Sequence, residues 1–172
     1  MIKNIFLTGK PRCGKTTLIM EILEQLKPNG NGFYTQEILK NGKRLGFKIT
    51  TLNGKEGILA HIEIKSPYRL GKYKINIKDF ENIGVRSILD SLKENKITVI
   101  DEIGKMELHS DKFKKAVKIA LKSKNKVLGT IMVKSNPFCD EIKKRKDTKI
   151  LYLTRKNKEK IKKEIIKFLE SK

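Results

Sequence analysis

The feature that most constrains this chain is a glycine-bounded segment near its start. Residues 9–16 have the sequence GKPRCGKT, which matches the spacing G-x-x-x-x-G-K-[ST] at every fixed position. The segment follows residues 2–7, an apolar run typical of a buried strand, and the apolar residues after Gly14 fall on one face of a helix. A phosphate-binding loop requires this order of strand, loop and helix, because its backbone N–H groups and the helix N-terminus then point at phosphate groups.

The individual positions of the loop have predictable roles. Lys15 reaches the β- and γ-phosphates of a nucleotide, the hydroxyl of Thr16 ligates Mg²⁺, and Gly14 allows the backbone to approach the phosphate closely. The alternative is a chance glycine-rich turn with a surface lysine, which the placement of the strand and the helix disfavours. The side chain of Arg12 either faces solvent or touches a phosphate or a neighbouring subunit. Cys13 is either a small residue that fits the loop or an oxidation-sensitive thiol near a helix N-terminus.

A pair of carboxylates follows a second apolar run. Residues 97–100, with the sequence ITVI, are typical of a buried strand, and Asp101 and Glu102 come directly after them. A nucleotide-hydrolysing enzyme of the phosphate-loop type needs an acidic residue at this place to hold Mg²⁺ through water. Asp101 is the candidate for the metal, and Glu102 is the candidate for orienting or deprotonating the attacking water. Because nucleotide kinases need no such base, Glu102 favours hydrolysis; the alternative is that both residues merely cap the strand.

The remaining patterns predict an α/β fold in a single domain of residues 1–172. Strand-like runs alternate with helical spacing, which favours a mostly parallel sheet flanked by helices. The strand-like runs are residues 127–133 and 150–153, and the helical patterns cover residues 83–92, 113–121 and 161–169. Asp111 is the predicted N-cap of the second of these helices.

A β-rich insert interrupts the alternation between about residues 33 and 77. The pair Asn41-Gly42 within it is a strong signal for a hairpin turn. Pro28 and the cluster of asparagine and glycine that follows it mark the end of the first helix, before the insert begins.

Composition excludes several classes of protein. No apolar stretch reaches the roughly 18 residues of a membrane span, and the first apolar run is too short for a signal-peptide core. We therefore expect a cytoplasmic protein that does not bind a membrane. Cys13 and Cys139 are the only cysteines, which excludes a disulfide framework and a four-cysteine zinc site.

The net charge of +21 leaves two interpretations open. It results from 40 Lys and Arg against 19 Asp and Glu, and a surplus of this size is compatible with a nucleic-acid partner bound through a basic surface. Only six of the 40 basic residues are Arg, the residue that best recognises phosphates and base edges. A solvated, lysine-rich surface is therefore the alternative. The sequence leaves the oligomeric state open.

A longer motif brings in a family resemblance. Residues 101–108, with the sequence DEIGKMEL, together with residues 9–17 resemble the small nucleoside-triphosphatase family of archaea and bacteria, whose animal relatives are described as cancer-related nucleoside triphosphatases. Residues 32–37 (GFYTQE) resemble the β-hairpin motif of that family, and residues 153–157 (LTRKN) resemble its C-terminal signature. The resemblance extends over nearly the whole chain.

The resemblance implies a fold and an activity. The family has a RecA-like P-loop core with a small β-rich insert, and it hydrolyses nucleoside triphosphates, ATP and GTP included, with Mg²⁺ and broad tolerance of the base. On this chain the resemblance implies Lys15 and Glu102 as catalytic residues and Thr16 and Asp101 as metal ligands. The nucleotide-binding residues that it implies are Gly9, Lys10, Pro11, Arg12, Cys13, Gly14, Lys15, Thr16 and Thr17.

Two positions depart from the family pattern. Arg12 stands where the family often has glycine, and Lys158 follows Asn157 where the family commonly has arginine. Arg44 and Arg69, in and near the insert, are candidates for a lid that closes over the nucleotide.

Two further residues keep two interpretations each. Thr130, in the third buried strand, is either a polar sensor of the γ-phosphate or part of the interior packing. Lys105 either offsets charge on the transferred phosphate or forms a surface salt bridge with Glu107 or Asp111.

The leading functional hypothesis is Mg²⁺-dependent hydrolysis of nucleoside 5′-triphosphates to nucleoside diphosphate and phosphate. One alternative is a nucleotide or polynucleotide kinase, which would pass the γ-phosphate to an acceptor other than water. The other is a nucleic-acid-binding module in which nucleotide hydrolysis acts as a switch.

Overall fold

The computed structural model describes residues 1–27, 29–94 and 97–171, which form one nine-stranded sheet with helices on both faces. The strands are β1 (Asn4–Thr8), β2 (Gly30–Lys40), β3 (Lys43–Thr51), β4 (Glu56–His61), β5 (Arg69–Leu70), β6 (Tyr73–Ile75), β7 (Ile97–Ile103), β8 (Val127–Ile131) and β9 (Thr148–Tyr152). The helices are α1 (Lys15–Leu26), α2 (Ile77–Asp79), α3 (Arg86–Ser91), α4 (Asp111–Lys122), α5 (Pro137–Lys143) and α6 (Lys158–Glu170). A π-helical segment, Phe80–Val85, joins α2 to α3, and 3₁₀ turns cover Leu92–Glu94 and Glu107–His109.

The parallel half of the sheet contains the strands on which the predicted site residues depend. The strand order is β5-β6-β4-β3-β2-β7-β8-β1-β9, and neighbours from β2 to β9 run parallel. Every residue of β1 and β8 is buried, as expected for parallel strands covered on both faces. The predicted α/β fold is confirmed.

The antiparallel half extends the same sheet, because β2 belongs to both halves. Its first residues, from Gly30 to Phe33, pair in parallel with β7, and its later residues pair antiparallel with β3. The turn at Asn41-Gly42 has φ values of 48° and 72°, the left-handed pair that the hairpin signal predicts. Four strand pairings are parallel and four are antiparallel, so the whole sheet is mixed rather than mostly parallel.

The two faces of the sheet bury separate cores. Alternation along β1 sends Ile5 and Leu7 to the face covered by α1 and α6, while Phe6 points to the opposite face. On that opposite face Phe80 and Phe113 pack against Phe33, with ring centroids 5.7 and 6.2 Å from the Phe33 ring. Burial on both faces fixes the register of the central strands, because a shift of one residue would exchange the two cores.

Two helix starts differ from the sequence predictions. The N-cap of α4 is Ser110, whose hydroxyl accepts the N–H of Phe113 at 3.1 Å, so the prediction of Asp111 as the cap was wrong by one residue. The sequence patterns did not predict α5, which Asn136 caps and Pro137 begins.

Two other sequence predictions concern the ends and lengths of helices. Helix α1 ends at Leu26, while Pro28, its predicted stop, lies outside the described residues. In the part of the chain that the structure describes, no helix is long and apolar enough to cross a membrane.

Candidate active site

The loop between β1 and α1 wraps around the ammonium group of Lys15. The Nζ atom of Lys15 donates to the carbonyl oxygens of Gly9 and Lys10, at 3.1 and 3.0 Å. Gly14 precedes the helix with φ 92°, a left-handed conformation that glycine adopts without steric cost. The structure therefore places Lys15 at the centre of the predicted phosphate loop and leads directly from that loop into the N-terminus of α1.

Arg12 occupies an unusual place in this loop. Its φ of 60° lies in the left-handed region, where a non-glycine residue is uncommon, so this arginine follows a backbone path that glycine would accept more easily. Its guanidinium contacts the carboxylate of Glu37 on β2, with Nη2 3.4 Å from Oε1. Of the remaining predicted loop residues, Lys10, Pro11 and Thr17 are exposed.

Asp101 on β7 is the best-connected carboxylate of the site. Its Oδ2 accepts the hydroxyl of Thr16 on α1 at 2.7 Å, and its Oδ1 accepts the hydroxyl of Thr130 on β8, also at 2.7 Å. The backbone of Thr35 on β2 lies close enough to the same carboxylate to help lower its pKa. Burial raises the pKa of Asp101, and these donors and the charge of Lys15 oppose that rise. The side chain is 1% exposed, so its oxygens are held in fixed directions.

Thr16 and Asp101 fit a magnesium ion by their chemistry. A hydroxyl and a carboxylate are hard oxygen donors, and they lie next to each other at the start of α1. No group of three or more His, Cys, Asp or Glu side chains within residues 1–27, 29–94 and 97–171 could hold a metal by itself. This pattern agrees with the preference of Mg²⁺ for one or two protein ligands together with substrate phosphates and water.

Glu102 and Glu107 bring two further carboxylates to the end of β7. Burial, and after it the charge of Asp101, raises the pKa of the partly buried Glu102, while the charge of Lys15 opposes the rise. Burial, and next the charge of Glu102, raises the pKa of Glu107 well above its usual value. A Cβ atom on Gly104 would lie 2.9 Å from Oε1 of Glu102 and 3.1 Å from Oε2 of Glu107. Both side chains therefore occupy space that only a glycine at position 104 leaves open.

Glu107 is a site residue that the sequence patterns did not single out. It is 5% exposed and lies between Met106 and Leu108, which pack in the apolar core. A charged residue within an apolar stretch was the available signal, because a buried carboxylate is rare without a specific reason.

The structure shows the surroundings of Thr130 and Lys105, for which the sequence left two interpretations each. Thr130 is interior, and its hydroxyl binds the predicted metal carboxylate. Lys105 is exposed, and no carboxylate of the described residues lies within ion-pair distance of it, so the alternative of a salt bridge to Glu107 or Asp111 is wrong.

The two lid candidates differ in their contacts, and Arg44 shares a carboxylate, that of Glu37, with Arg12 of the phosphate loop. Arg44 on β3 is tied to Glu37 and to the hydroxyl of Tyr73. Arg69 lies on β5, the outermost strand of the antiparallel half.

The family of this site follows from its match to known proteins. The sequence pattern of the family described as NTPase matches residues 4–166, which include the phosphate loop and the carboxylates of β7. The chain belongs to the NTPase family. It is 49% identical over 167 residues to the nucleoside-triphosphatase THEP1 of Thermotoga sp. (strain RQ2), an alignment that covers 97% of this chain and 95% of that protein.

Two solved structures share the fold of this NTPase-family member. The crystal structure of THEP1 from the hyperthermophile Aquifex aeolicus has a TM-score of 0.89 at 34% identity, and the match covers 98% of this chain and 99% of that chain. The solution structure of a human cancer-related nucleoside triphosphatase has a TM-score of 0.83 at 36% identity, covering 98% and 97%. The family resemblance expected from the sequence is confirmed.

Proposed function

We propose that this protein hydrolyses nucleoside 5′-triphosphates, ATP and GTP among them, to nucleoside diphosphate and phosphate in a Mg²⁺-dependent reaction with broad tolerance of the base. The observation that carries the proposal is the junction of α1 and β7. There Thr16 binds Asp101 at 2.7 Å, and Glu102, the next residue along β7, lies close enough to Lys15 for the lysine to lower its pKa.

Binding of the triphosphate rests on the loop of residues 9–17. Backbone N–H groups and the N-terminus of α1 bind the phosphate oxygens, because both carry partial positive charge. Lys15 Nζ, which contacts two carbonyl oxygens of the loop, exchanges those contacts for oxygens of the β- and γ-phosphates. The ammonium group then compensates charge that grows on the γ-phosphoryl group during transfer.

Thr16 and Asp101 are the residues that hold the metal ion in this proposal. A bound Mg²⁺ would supply positive charge against the charge that develops on the phosphates. The hydroxyls of Thr130 and Thr16 keep the Asp101 carboxylate in position through their hydrogen bonds. The role of the threonines is therefore to fix a ligand in place before substrate arrives.

Glu102 acts on the attacking water. Its carboxylate orients the water toward the γ-phosphorus and accepts the proton as the new phosphorus–oxygen bond forms and the bond to the β-phosphate oxygen breaks. The raised pKa of Glu102, caused by burial and the neighbouring Asp101, brings it closer to neutral pH, where a general base is most effective. A kinase would have to exclude the same water, so a carboxylate at this place favours hydrolysis over transfer to another acceptor.

We also propose that the protein binds a polyanion such as RNA through the basic surface of α4 and its neighbour α5. Helix α4 exposes Lys112, Lys115, Lys118 and Lys122. Beside it a shallow cavity between α4 and α5 is lined by Lys118, Lys122 and Arg145 together with one acidic residue, Glu141. Phosphate backbones bind such surfaces through counterion release, so RNA binding that weakens steeply with salt would support this partner, and salt-independent or absent binding would contradict it.

The main proposal is tested by phosphate release from ATP, GTP, CTP and UTP, with Mg²⁺ and with a chelator. We expect the parent protein to release phosphate from all four in the presence of Mg²⁺ and Lys15→Ala to release almost none. Lys163→Ala, which removes an exposed lysine of α6, is the matched control and should behave like the parent. Release that persists with chelator, or equal rates in Lys15→Ala and the parent, would contradict the proposal. Products formed in the presence of a nucleoside monophosphate separate the kinase alternative, which predicts a second nucleoside diphosphate.

A further inference from the structure

One carboxylate on β2, that of Glu37, is shared by two guanidinium groups. Arg44 donates from Nη1 to Oε1 of Glu37 at 2.7 Å, and Arg12 donates from Nη2 to both carboxylate oxygens, at 3.4 and 3.5 Å. Arg44 comes from the neighbouring strand β3, whereas Arg12 comes from the phosphate loop. The pair Arg12–Glu37 therefore links the phosphate loop to the antiparallel half of the sheet.

The link lies at the metal-binding end of the candidate site. Strand β2 runs beside the end of β7, because Phe33 pairs in register with Ile100, the residue before Asp101. Glu37 lies four residues beyond Phe33 on β2, and its carboxylate contacts Arg12 of the phosphate loop. In the proposed reaction Thr16 and Asp101 would hold a Mg²⁺ ion, which would neutralise charge on the phosphates. The guanidinium of Arg12 is therefore held between the phosphate loop and β2, the strand that pairs with β7 next to Asp101.

The two arginines are held very differently. Arg44 also donates from Nε to the Tyr73 hydroxyl at 2.8 Å, and its guanidinium lies 5.0 Å from the ring centroid of Phe47. The Arg12 side chain is 72% exposed, and among the described residues its polar contacts are the two long ones to Glu37. The pKa of Glu37 is lowered first of all by its hydrogen bond from Arg44, with Arg12 contributing less. Arg44 thus neutralises Glu37, and Arg12 keeps a weakly held charge.

We propose that Glu37 and the γ-phosphate of the nucleotide compete for the guanidinium of Arg12. Arg12 is then a phosphate-contacting residue, and Glu37 is a positioning residue that holds Arg12 toward β2. The inference rests on the proposed function, since it requires a triphosphate in the loop. A γ-phosphate carries more negative charge than a carboxylate that Arg44 already neutralises, and it accepts the two-pronged guanidinium equally well, so the phosphate wins the competition.

Competition makes a prediction that a purely structural ion pair does not. Removing Arg12 weakens triphosphate binding, whereas removing the charge of Glu37 strengthens it, because the competitor is lost. A structural tie predicts the same sign for both changes. The double variant should behave like Arg12→Ala alone, because Glu37 acts on the nucleotide only through Arg12.

The test is calorimetric titration with the β,γ-imido analogue of ATP and with ADP, both with Mg²⁺. We expect Arg12→Ala to weaken binding of the analogue about tenfold, the value of one charge-assisted hydrogen bond, and to change ADP binding less than about twofold. Glu37→Gln should tighten binding of the analogue about two- to fivefold, the value of an exposed ion pair. Arg86→Ala is the matched control, because Arg86 forms an exposed ion pair with Asp90 at 3.3 Å on α3.

Each outcome decides the question. The competition is supported if Arg12→Ala weakens binding of the analogue, Glu37→Gln tightens it, and neither change alters ADP binding. It also requires that adding Glu37→Gln to Arg12→Ala changes binding of the analogue no further. Equal losses for the analogue and ADP, or a loss in Glu37→Gln, overturn it. Lys15→Ala distinguishes failure of the proposed function from failure of the inference about Arg12. If that variant binds the analogue as the parent does, the proposed function fails and this inference with it; if it binds weakly while Arg12→Ala binds normally, only this inference fails.

Discussion

Replacing Thr130 by valine tests how the metal carboxylate is held. Valine has the shape of threonine, so the change leaves no cavity and removes only the hydroxyl that donates to Asp101 Oδ1 at 2.7 Å. Thr130 and Asp101 are each 1% exposed, so water cannot take the place of the lost donor. A hydrogen bond to a charged group contributes about 1.5–3 kcal/mol, and we expect the free energy of unfolding to fall by about that amount.

Thr98 offers a matched comparison on the neighbouring part of the sheet. Its hydroxyl pairs with that of Ser91 at 2.7 Å, both side chains are buried, and neither is charged. Ser91 also donates to the carbonyl oxygen of Ile88, so Thr98→Val leaves it with a partner. The expected loss is therefore only about 0.5–1.5 kcal/mol, the range for a neutral hydrogen bond.

Urea unfolding followed by far-ultraviolet circular dichroism measures both losses, since the chain has no tryptophan for fluorescence. Thr130→Val should lower the free energy of unfolding by more than Thr98→Val does. This difference should shrink as the pH falls and Asp101 takes up a proton, because the hydroxyl stabilises mainly the ionised carboxylate. Thr130→Ser, which keeps the hydroxyl, should lose less than Thr130→Val. If Thr130→Val costs no more than Thr98→Val, or if Thr130→Ser costs as much as Thr130→Val, the account of Asp101 is refuted.

Three further predictions concern the segment after β7. Gly104→Ala places a methyl group against the carboxylates of Glu102 and Glu107, so the rate of phosphate release should fall about 10- to 100-fold with KM nearly unchanged; an unchanged rate would contradict this. Because the folded-state pKa of Glu107 is raised, the folded protein binds more protons than the unfolded chain between about pH 4.5 and that raised pKa, and stability falls as the pH rises through this window. Glu107→Gln should reduce that fall in urea titrations at several pH values, while Asp101 and Glu102, whose pKa values are also raised, keep their share of it. An identical pH dependence would refute the prediction. Ser110→Ala removes the cap of α4 and a hydrogen bond to Glu81, and thermal unfolding should show a loss of about 1–2 kcal/mol.

Local patterns in the sequence predict the parts of the fold that local interactions determine. The apolar run, the glycine-bounded loop and the helix at residues 2–26 fold as predicted, because strand burial, loop and helix periodicity agree with one another. The same holds for the strand that carries Asp101 and Glu102. Helix α5 was missed because its seven residues bury only Cys139 and Ile142, too few for a helical period to show.

Contacts between distant segments account for what the sequence did not predict. The cluster at residues 29–32 has the composition of a turn, yet β2 begins at Gly30. The reason is tertiary: a side chain at Gly32 would collide with the backbone of Val99 on β7, so glycine there allows two strands to pair. The sequence could not distinguish Ser110 from Asp111 as the N-cap of α4, because serine and aspartate both cap helices and the two residues are adjacent.

The candidate site divides in the same way. Lys15 and Thr16 were predictable because their roles depend on a spacing within one loop. The contacts of Glu37 with Arg12 and Arg44, by contrast, arise because the phosphate loop and β3 both lie beside β2 in the fold, and no pattern within β2 predicts them. The assigned roles of Lys15, Thr16, Asp101 and Glu102 in catalysis stay predictions until the variants are measured.

Single-turnover phosphate release by Glu102→Gln tests the central claim most directly. With protein in excess over labelled ATP and with Mg²⁺ present, we expect this variant to bind ATP within about twofold of the parent and to release phosphate at least about 100-fold more slowly, the contribution of a positioned general base. That result would assign the carboxylate to the attack of water rather than to nucleotide binding. Release at the parent rate by a variant that binds ATP normally would contradict the claim that Glu102 activates the water.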